Sequence, residues 1–460
     1  PVWISTLRRF RFAVVISVLA LVSLVSGIAL TQFQGDRGFD QSLATGFALV
    51  FLTGIGGLGL LLWARTVMPT YQVAIVFGLG YLLRVMQDVA SSPNPWKYQL
   101  SVPIAIIVLA FAAKTRAALP AVASLVGLGI ISVAFDSRSF FGFCLLAAVL
   151  VMWQRRPRST GRGMNRLAVF GLICAALFAL YSIGTTLLVE GYLGQANQQR
   201  TVQQIEDSGS LLVGGRPEWA GTVRLMIDHP IGFGLGTMPA AEDVLTAKAG
   251  IRAIGTDTEN GYVNNYMFGG HFKLHSIVAD FWATFGIPGL VLGLTMIAAL
   301  GYCLIDRLTT RTASGLVCLF AVLGIWDLAF GPIYKNLPDV MLALAVTLTM
   351  VTRSSEAPSD ESEPTHAYCY TAGIGILQTA RQDNEPLHLH ALRRAARSMR
   401  DEAFLVARGT HRRLQRLPRA LAGDLALQRP SEPPGWSSGR VLAAASADEV
   451  SASSSRSDDA

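Results

Sequence analysis

From residue 12 onward the chain alternates between uncharged apolar runs and short polar breaks. Ten runs stand out, near residues 12–32, 42–63, 70–88, 99–113, 117–135, 139–153, 167–189, 287–305, 313–330 and 337–352. A soluble chain of this length would show several amphipathic segments instead. Most of these runs are long enough for a ~30 Å hydrocarbon core, which takes ~20 helical residues. The fourth and sixth are short. The pattern predicts an all-α polytopic membrane protein with about ten transmembrane helices.

Two stretches fall outside the pattern, and they set the domain boundaries: 1–189 as a seven-helix membrane region, 190–286 as a loop region with short helices, 287–353 as a three-helix region, and 354–460 as a low-complexity tail. Composition agrees, with 51% of the 460 residues hydrophobic and 15% charged. The first run follows Arg8, Arg9 and Arg11. It is too long for an ordinary secretory h-region and no small-residue cleavage site follows, so it reads as a signal anchor, with upstream residues or helices allowed. Five scattered cysteines form no CxxC and imply neither a disulfide framework nor a zinc site. The tail ends "SADEVSASSSRSDDA", a composition that favours disorder. Its basic middle reads either as a solvated segment or as a helix on an anionic leaflet.

Charge gives direction. With the N-terminus inside, fourteen Lys and Arg fall in or beside cytoplasmic loops, and the short outer loops keep four: Arg37, Lys97, Arg138 and Lys335. This positive-inside bias puts residues 190–274 outside and the tail inside. The outer loop carries six Lys/Arg against nine Asp/Glu. It is no general basic patch, and a cation there matters by its position. No nucleic-acid partner is implied; the lipid bilayer is.

Candidate chemistry concentrates at the outer rim. In "GGRPEWAGTVRLMIDHPIGFGLGT", 214–237, Pro217 suits a first helical position. Trp219, Val223, Met226 and Ile227 mark an apolar face at helical spacing, and Pro230 closes the helix. Arg216 then stands at a helix N-terminus, where free N–H groups already favour an anion and a guanidinium binds phosphate bidentately. Pairing with Glu218 is the plainer alternative. His229 precedes "GFGLG", whose Gly234 and Gly236 read as a tight turn, or as an anion nest. Arg138, in "FDSRSFF", either snorkels to headgroups or points into a cavity shared with Arg216. His271 and His275 would be i, i+4 if helical, but no third ligand accompanies them, so a general base outranks a metal site. Asp36 and Asp40 read as a solvated loop rather than a divalent-cation pair. Arg84 and Asp88 share a helix face and neutralise one another; Asp280 and Asp327 stand nearly alone in apolar surroundings, where ionisable groups mark function.

Together, "GGRPEW", then "HPIGFGLG", then a histidine followed by "FGIPGL", late in a many-span chain, resemble the O-antigen ligase and Wzy-type polysaccharide polymerase superfamily. The "SRS" at 137–139 is similar to that family's Ser-Arg motif. The strong matches cover about 75 residues, 214–289; Ser276 stands where the family carries Asn, and Arg216 is two residues from Trp rather than three (Arg-x-x-x-Trp). The resemblance implies a metal-independent glycosyltransferase without cofactors, set in the cytoplasmic membrane with its site on the outer face. The donor would be a glycan on a polyprenyl diphosphate and the acceptor a saccharide. By spacing to Gly286, His275 would be the base at the start of an interfacial helix, Arg216 and Arg138 the diphosphate contacts, and His229, Gly234, Gly236 and His271 supporting residues. A transporter or flippase for the lipid-linked glycan is the alternative, with polar groups spread around a midplane cavity.

The charge bias is directly testable. Cysteines introduced by Ser208→Cys and Arg440→Cys should differ in intact cells: the first labels with an impermeant thiol reagent and the second does not. Equal labelling would overturn the orientation.

Overall fold

The computed structural model describes residues 2–33, 35–115, 117–155, 165–191, 194–209, 214–259 and 261–351; the expected tail lies outside them. No strand occurs among the described residues, and two isolated bridges, Phe10 to Met350 and Phe39 to Thr237, join distant segments. The helices are α1 (Val2–Leu7), α2 (Ala13–Thr31), α3 (Gln41–Val67), α4 (Thr70–Val85), α5 (Ser101–Lys114, entered through a π-turn at Trp96–Leu100), α6 (Ala118–Ala134), α7 (Arg138–Trp153) and α8 (Arg166–Val189). There follow α9 (Gln195–Ser208), α10 (Glu218–Asp228), α11 (Ala241–Arg252), α12 (Ile277–Phe285), α13 (Ile287–Thr309), α14 (Gly315–Phe330) and α15 (Ile333–Thr347).

Ten of these helices fall on the ten apolar runs. Five, namely α2, α3, the Trp96–Lys114 segment, α8 and α13, are long and apolar enough to cross a membrane. The others have 15 to 17 residues. At 1.5 Å per residue they reach only about 24 Å. Large apolar side chains face outward, among them Leu83, Ile130 and Phe178, a surface that a soluble protein does not carry.

Local chemistry sets the ends. Asp40 caps α3 by accepting from the Ser42 and Leu43 N–H groups at 2.7 and 3.2 Å, so it serves a helix N-terminus rather than a cation. Ser314 caps α14 and Asn165 caps α8 in the same way. α4 ends at Val85, so Arg84 and Asp88 do not share a helix face as expected. α15 begins at Ile333, before the expected 337, and continues through Pro338. At its far end the orphan carbonyls are met by arginines: Arg65 donates to Ala345 and Leu348, and Arg307 donates to Thr347 and Leu348.

Between α8 and α12, α10 packs on α11 through Gly221, Thr222 and Leu225. A Cβ at Gly250 would run into the Ala220 carbonyl and Arg224 Cβ, so close backbone approach decides which face is buried. Val223 and Ile227, expected on the apolar face, are therefore exposed. α12, expected to lie at the interface, is instead enclosed, and eight of its nine residues are buried. Phe281 and Phe285 lie against Phe51, with ring centroids 5.4 and 4.6 Å away. Gly27 of α2 leaves room for Phe285, since a Cβ there would come within 2.6 Å of that ring.

The link from α12 to α13 is a single residue, Gly286, at φ 69°, ψ −148°, a region that side chains other than glycine's hydrogen avoid. A Cβ there would also overlap the Ile231 carbonyl. Gly286→Ala is expected to destabilise the fold by at least about 1–3 kcal/mol, read as a lowered thermal midpoint in detergent. An unchanged midpoint would mean that the α12–α13 turn relaxes freely.

Candidate functional site

Residues of α12, α15 and the segment before α12 enclose a cavity of about 560 Å³ lined by Tyr266, His271, Lys273, His275, Asp280, Tyr334 and Lys335, among others. His275 immediately precedes the α12 cap and is held from both sides. Ser276 Oγ accepts from the Ala279 N–H at 3.2 Å and donates to the Leu328 carbonyl at 3.1 Å. The Leu274 N–H donates to Asp280 Oδ1 at 2.9 Å. Pinned between these contacts, His275 adopts φ 53°, in the left-handed region. Its Nδ1 is buried and has no hydrogen-bond partner. Asp280 thus fixes the backbone beside His275, and Ser276 is the helix cap.

His275 lies 5.6 Å from the Tyr266 ring, which stacks on Tyr262 at 5.2 Å. The Tyr262 hydroxyl donates to Glu218 Oε1 at 2.7 Å. Burial lowers the pKa of the His275 imidazole; the Glu218 charge opposes this, while Arg216 and Lys335 add to it. Burial next to Glu218 raises that of Tyr262, so the phenol keeps its proton. His271 lines the same cavity, with Nδ1 3.2 Å from the Gly269 carbonyl. Burial and then the Lys273 charge lower its pKa. The backbone from 269 to 276 is not helical, so the two histidines do not form an i, i+4 pair.

Arg216 precedes α10 as expected, with Pro217 in the cap position rather than the first helical one. Its guanidinium lies over Trp326 and Phe330, 5.3 and 5.6 Å from their centroids. Among the described residues it forms no ion pair, with Glu218 or any other acid. It acts electrostatically on His275 and Asp327. Trp219 fixes the helix start by donating to the Ala329 carbonyl at 2.8 Å.

The remaining expected residues stand apart from the cavity lining, His271 excepted. Arg138 opens α7 with Nε 3.6 Å from Asp136, which Lys97 also approaches at 3.3 Å. His229 Nε2 lies 3.1 Å from Arg37 Nη2, and Arg37 forks onto buried Asp243 at 3.0 and 2.8 Å. That cluster ties the α2–α3 loop to α11. Gly234 and Gly236 have φ of 103° and 78°, and the turn they make is threaded between α2, α3 and α12. The Phe233 and Gly234 N–H groups both donate to the Ala283 carbonyl, and the Leu235 N–H to Gly27. With those donors spent on backbone, the segment is a structural turn rather than an anion nest.

Glu218, Tyr262, Tyr266, Lys273 and Lys335 complete the constellation. Lys335 had one signal in the sequence, as one of the four basic residues expected in the short outer loops. Lys335 also faces Asp327 and Asp339. The Asn336 amide donates to Asp327 Oδ1 at 2.7 Å and the Tyr81 hydroxyl approaches Asp339 Oδ2 at 3.4 Å, while Asp327 Oδ2 and Asp339 Oδ1 have no hydrogen-bond partner. Comparison with family models, curated proteins and solved structures gives no match.

Both cavity histidines have lowered pKa values, so in the folded protein they shed protons that the unfolded chain still holds near pH 6.5. Their contribution is full above that pH and is lost as pH falls through the lower folded values. The thermal midpoint should therefore drop from about pH 7.5 to about 5.5, and less so in a His271→Gln, His275→Gln double variant. Parallel curves for both proteins would place the pH sensitivity elsewhere.

Proposed function

We propose that the chain is a metal-independent membrane glycosyltransferase that moves a glycan from a polyprenyl-diphosphate carrier onto a saccharide hydroxyl, at the outer face of the cytoplasmic membrane. The observation that carries this reading is His275: a half-buried imidazole on left-handed backbone, its Nδ1 buried without a partner, facing a cavity that also holds Lys335 and Lys273. In this reading a base and fixed cations stand where a lipid-borne head group would enter, and ligase and polymerase chemistry have the same needs.

His275 takes the proton of the acceptor hydroxyl as its oxygen attacks the anomeric carbon. The bond from that carbon to the phosphate oxygen breaks, and the electron pair leaves with the carrier diphosphate. Charge grows on that oxygen, so fixed cations aid the step more than an acid would. Lys335 and Lys273 supply such charge inside the cavity and Arg216 beside it. Arg138, engaged with Asp136, enters only as a contact to the donor outside the cavity. Tyr262 and Glu218 orient the ring system behind the base. The second reading, a transporter for the same lipid, draws on Asp327 and Asp339, buried carboxylates of the kind found along proton paths.

Single-turnover transfer, with carrier-linked glycan taken from a strain lacking the protein, separates the readings. His275→Ala should slow transfer about 10²–10⁴-fold, the usual worth of a general base. Arg216→Ala and Lys335→Gln should each cost roughly 10²–10³-fold, and His271→Ala little. Because burial lowers the His275 pKa, the wild-type rate should hold until pH falls below about 6.5. Wild-type protein that moves the lipid across vesicles but transfers no glycan would leave the transporter. A dead His271→Ala beside an active His275→Ala would reassign the base.

A further inference from the structure

A second cavity, about 820 Å³, lies between the α5–α6 turn, the end of α7 and the α13–α14 turn. It is at the other end of α14 from the histidine site: Gly315 lines it, whereas Ala329 and Phe330 meet Trp219 and Arg216. The 16 residues of α14 separate the two by roughly 24 Å. Nothing in the proposed transfer reaction uses this space.

The cavity exists because its walls are small. Ala112, Ala113, Ala118 and Ala121 line it where helices α5 and α6 converge, and side chains of that size cannot fill the gap. Its polar lining comes from Arg155, Arg311, Thr312 and Ser314. α6 opens here without a side-chain cap, so the orphan N–H groups of its first turn add partial positive charge. The turn that carries Arg311 is fixed. Buried Gln154 accepts from the Ala313 N–H at 3.2 Å and donates to the Ala313 carbonyl at 3.1 Å. Arg311 itself holds φ 57°. A guanidinium has five N–H donors, so each arginine can keep a protein contact and still present charge to a ligand.

Two guanidinium groups, two hydroxyls and a helix N-terminus around alanine walls fit a phosphate ester carrying apolar chains. We propose that this cavity binds the phosphate of an anionic phospholipid at the basic end of the bundle, where Lys114 and Arg307 close α5 and α13. The lipid's glycerol and first methylenes lie along the alanine wall. Basic pockets between helix ends are suited to such head groups. The inference is independent of the glycosyltransferase reading.

Native mass spectrometry of the full chain, with phosphatidylglycerol, phosphatidylcholine or inorganic phosphate added, tests it. Wild type should retain phosphatidylglycerol over phosphatidylcholine. Arg155→Gln and Arg311→Asn should each weaken that retention about fivefold; asparagine tolerates the left-handed backbone at 311. Ala118→Trp keeps both charges, fills the space and should also release the lipid, so either class of variant decides if the other does not fold. If inorganic phosphate displaces the lipid and raises the thermal midpoint alone, the phosphate chemistry stands and the lipid source falls. Equal retention of the two lipids, or undiminished phosphatidylglycerol in both classes of variant, would overturn the site.

Discussion

Everything around the histidine cavity depends on burying a helix too short to span. α12 has nine residues, and a helix of that length leaves most of its terminal N–H and C=O groups without intrahelical partners. Away from water each orphan costs about 1–3 kcal/mol, so such a helix persists at depth only where protein satisfies it. Ser276 answers at one end. At the other, the Ala283 carbonyl takes N–H groups from Phe233 and Gly234, and the Trp282 carbonyl takes that of Gly286. The glycine-rich turn after His229 is therefore a plug for the end of α12, and its shape follows from that task.

The same burial places the chemistry. Enclosing α12 buries Asp280 at the cavity wall, where its carboxylate is used on the Leu274 N–H and holds the backbone at His275. The imidazole is turned toward the cavity by contacts that include no partner for its own Nδ1. Arg216 is kept close by aromatic faces rather than by an acid. Its Nη1 donates to the Phe330 carbonyl at 3.5 Å, and a guanidinium has five N–H donors, so others are left for something else.

Much of the helical layout was legible because a lipid-facing surface repeats one requirement at every position. The ten apolar runs fall on ten helices, including those too short to span unaided. Faces within the outer region were not legible. The choice of Gly221 and Leu225 over Val223 and Ile227 is made by backbone approach between α10 and α11, which no periodicity records. His275 was singled out over His271 by the resemblance, and Arg216 by its residue type beside a helix start. Glu218, Tyr262 and Lys335 come from three distant segments, and nothing along the chain pairs them. The four basic residues expected in the short outer loops each have a place. Arg37 grips Asp243, Lys97 and Arg138 share Asp136, and Lys335 faces the cavity, so each departure from the charge bias has a structural occupation.

The span of contacts around α12 has a consequence for biogenesis. It packs against α2, made early, and against α13, α14 and α15, made much later. α15 is in turn sealed by early segments: the Arg11 N–H bonds to Thr349, the Val351 N–H to Arg9, and Arg65 reaches the last carbonyls of α15. Contacts so remote in sequence close slowly. A nascent chain halted anywhere before residue 333 therefore carries His275 without the cavity around it, because Ile333, Tyr334 and Lys335 have yet to be added to its wall.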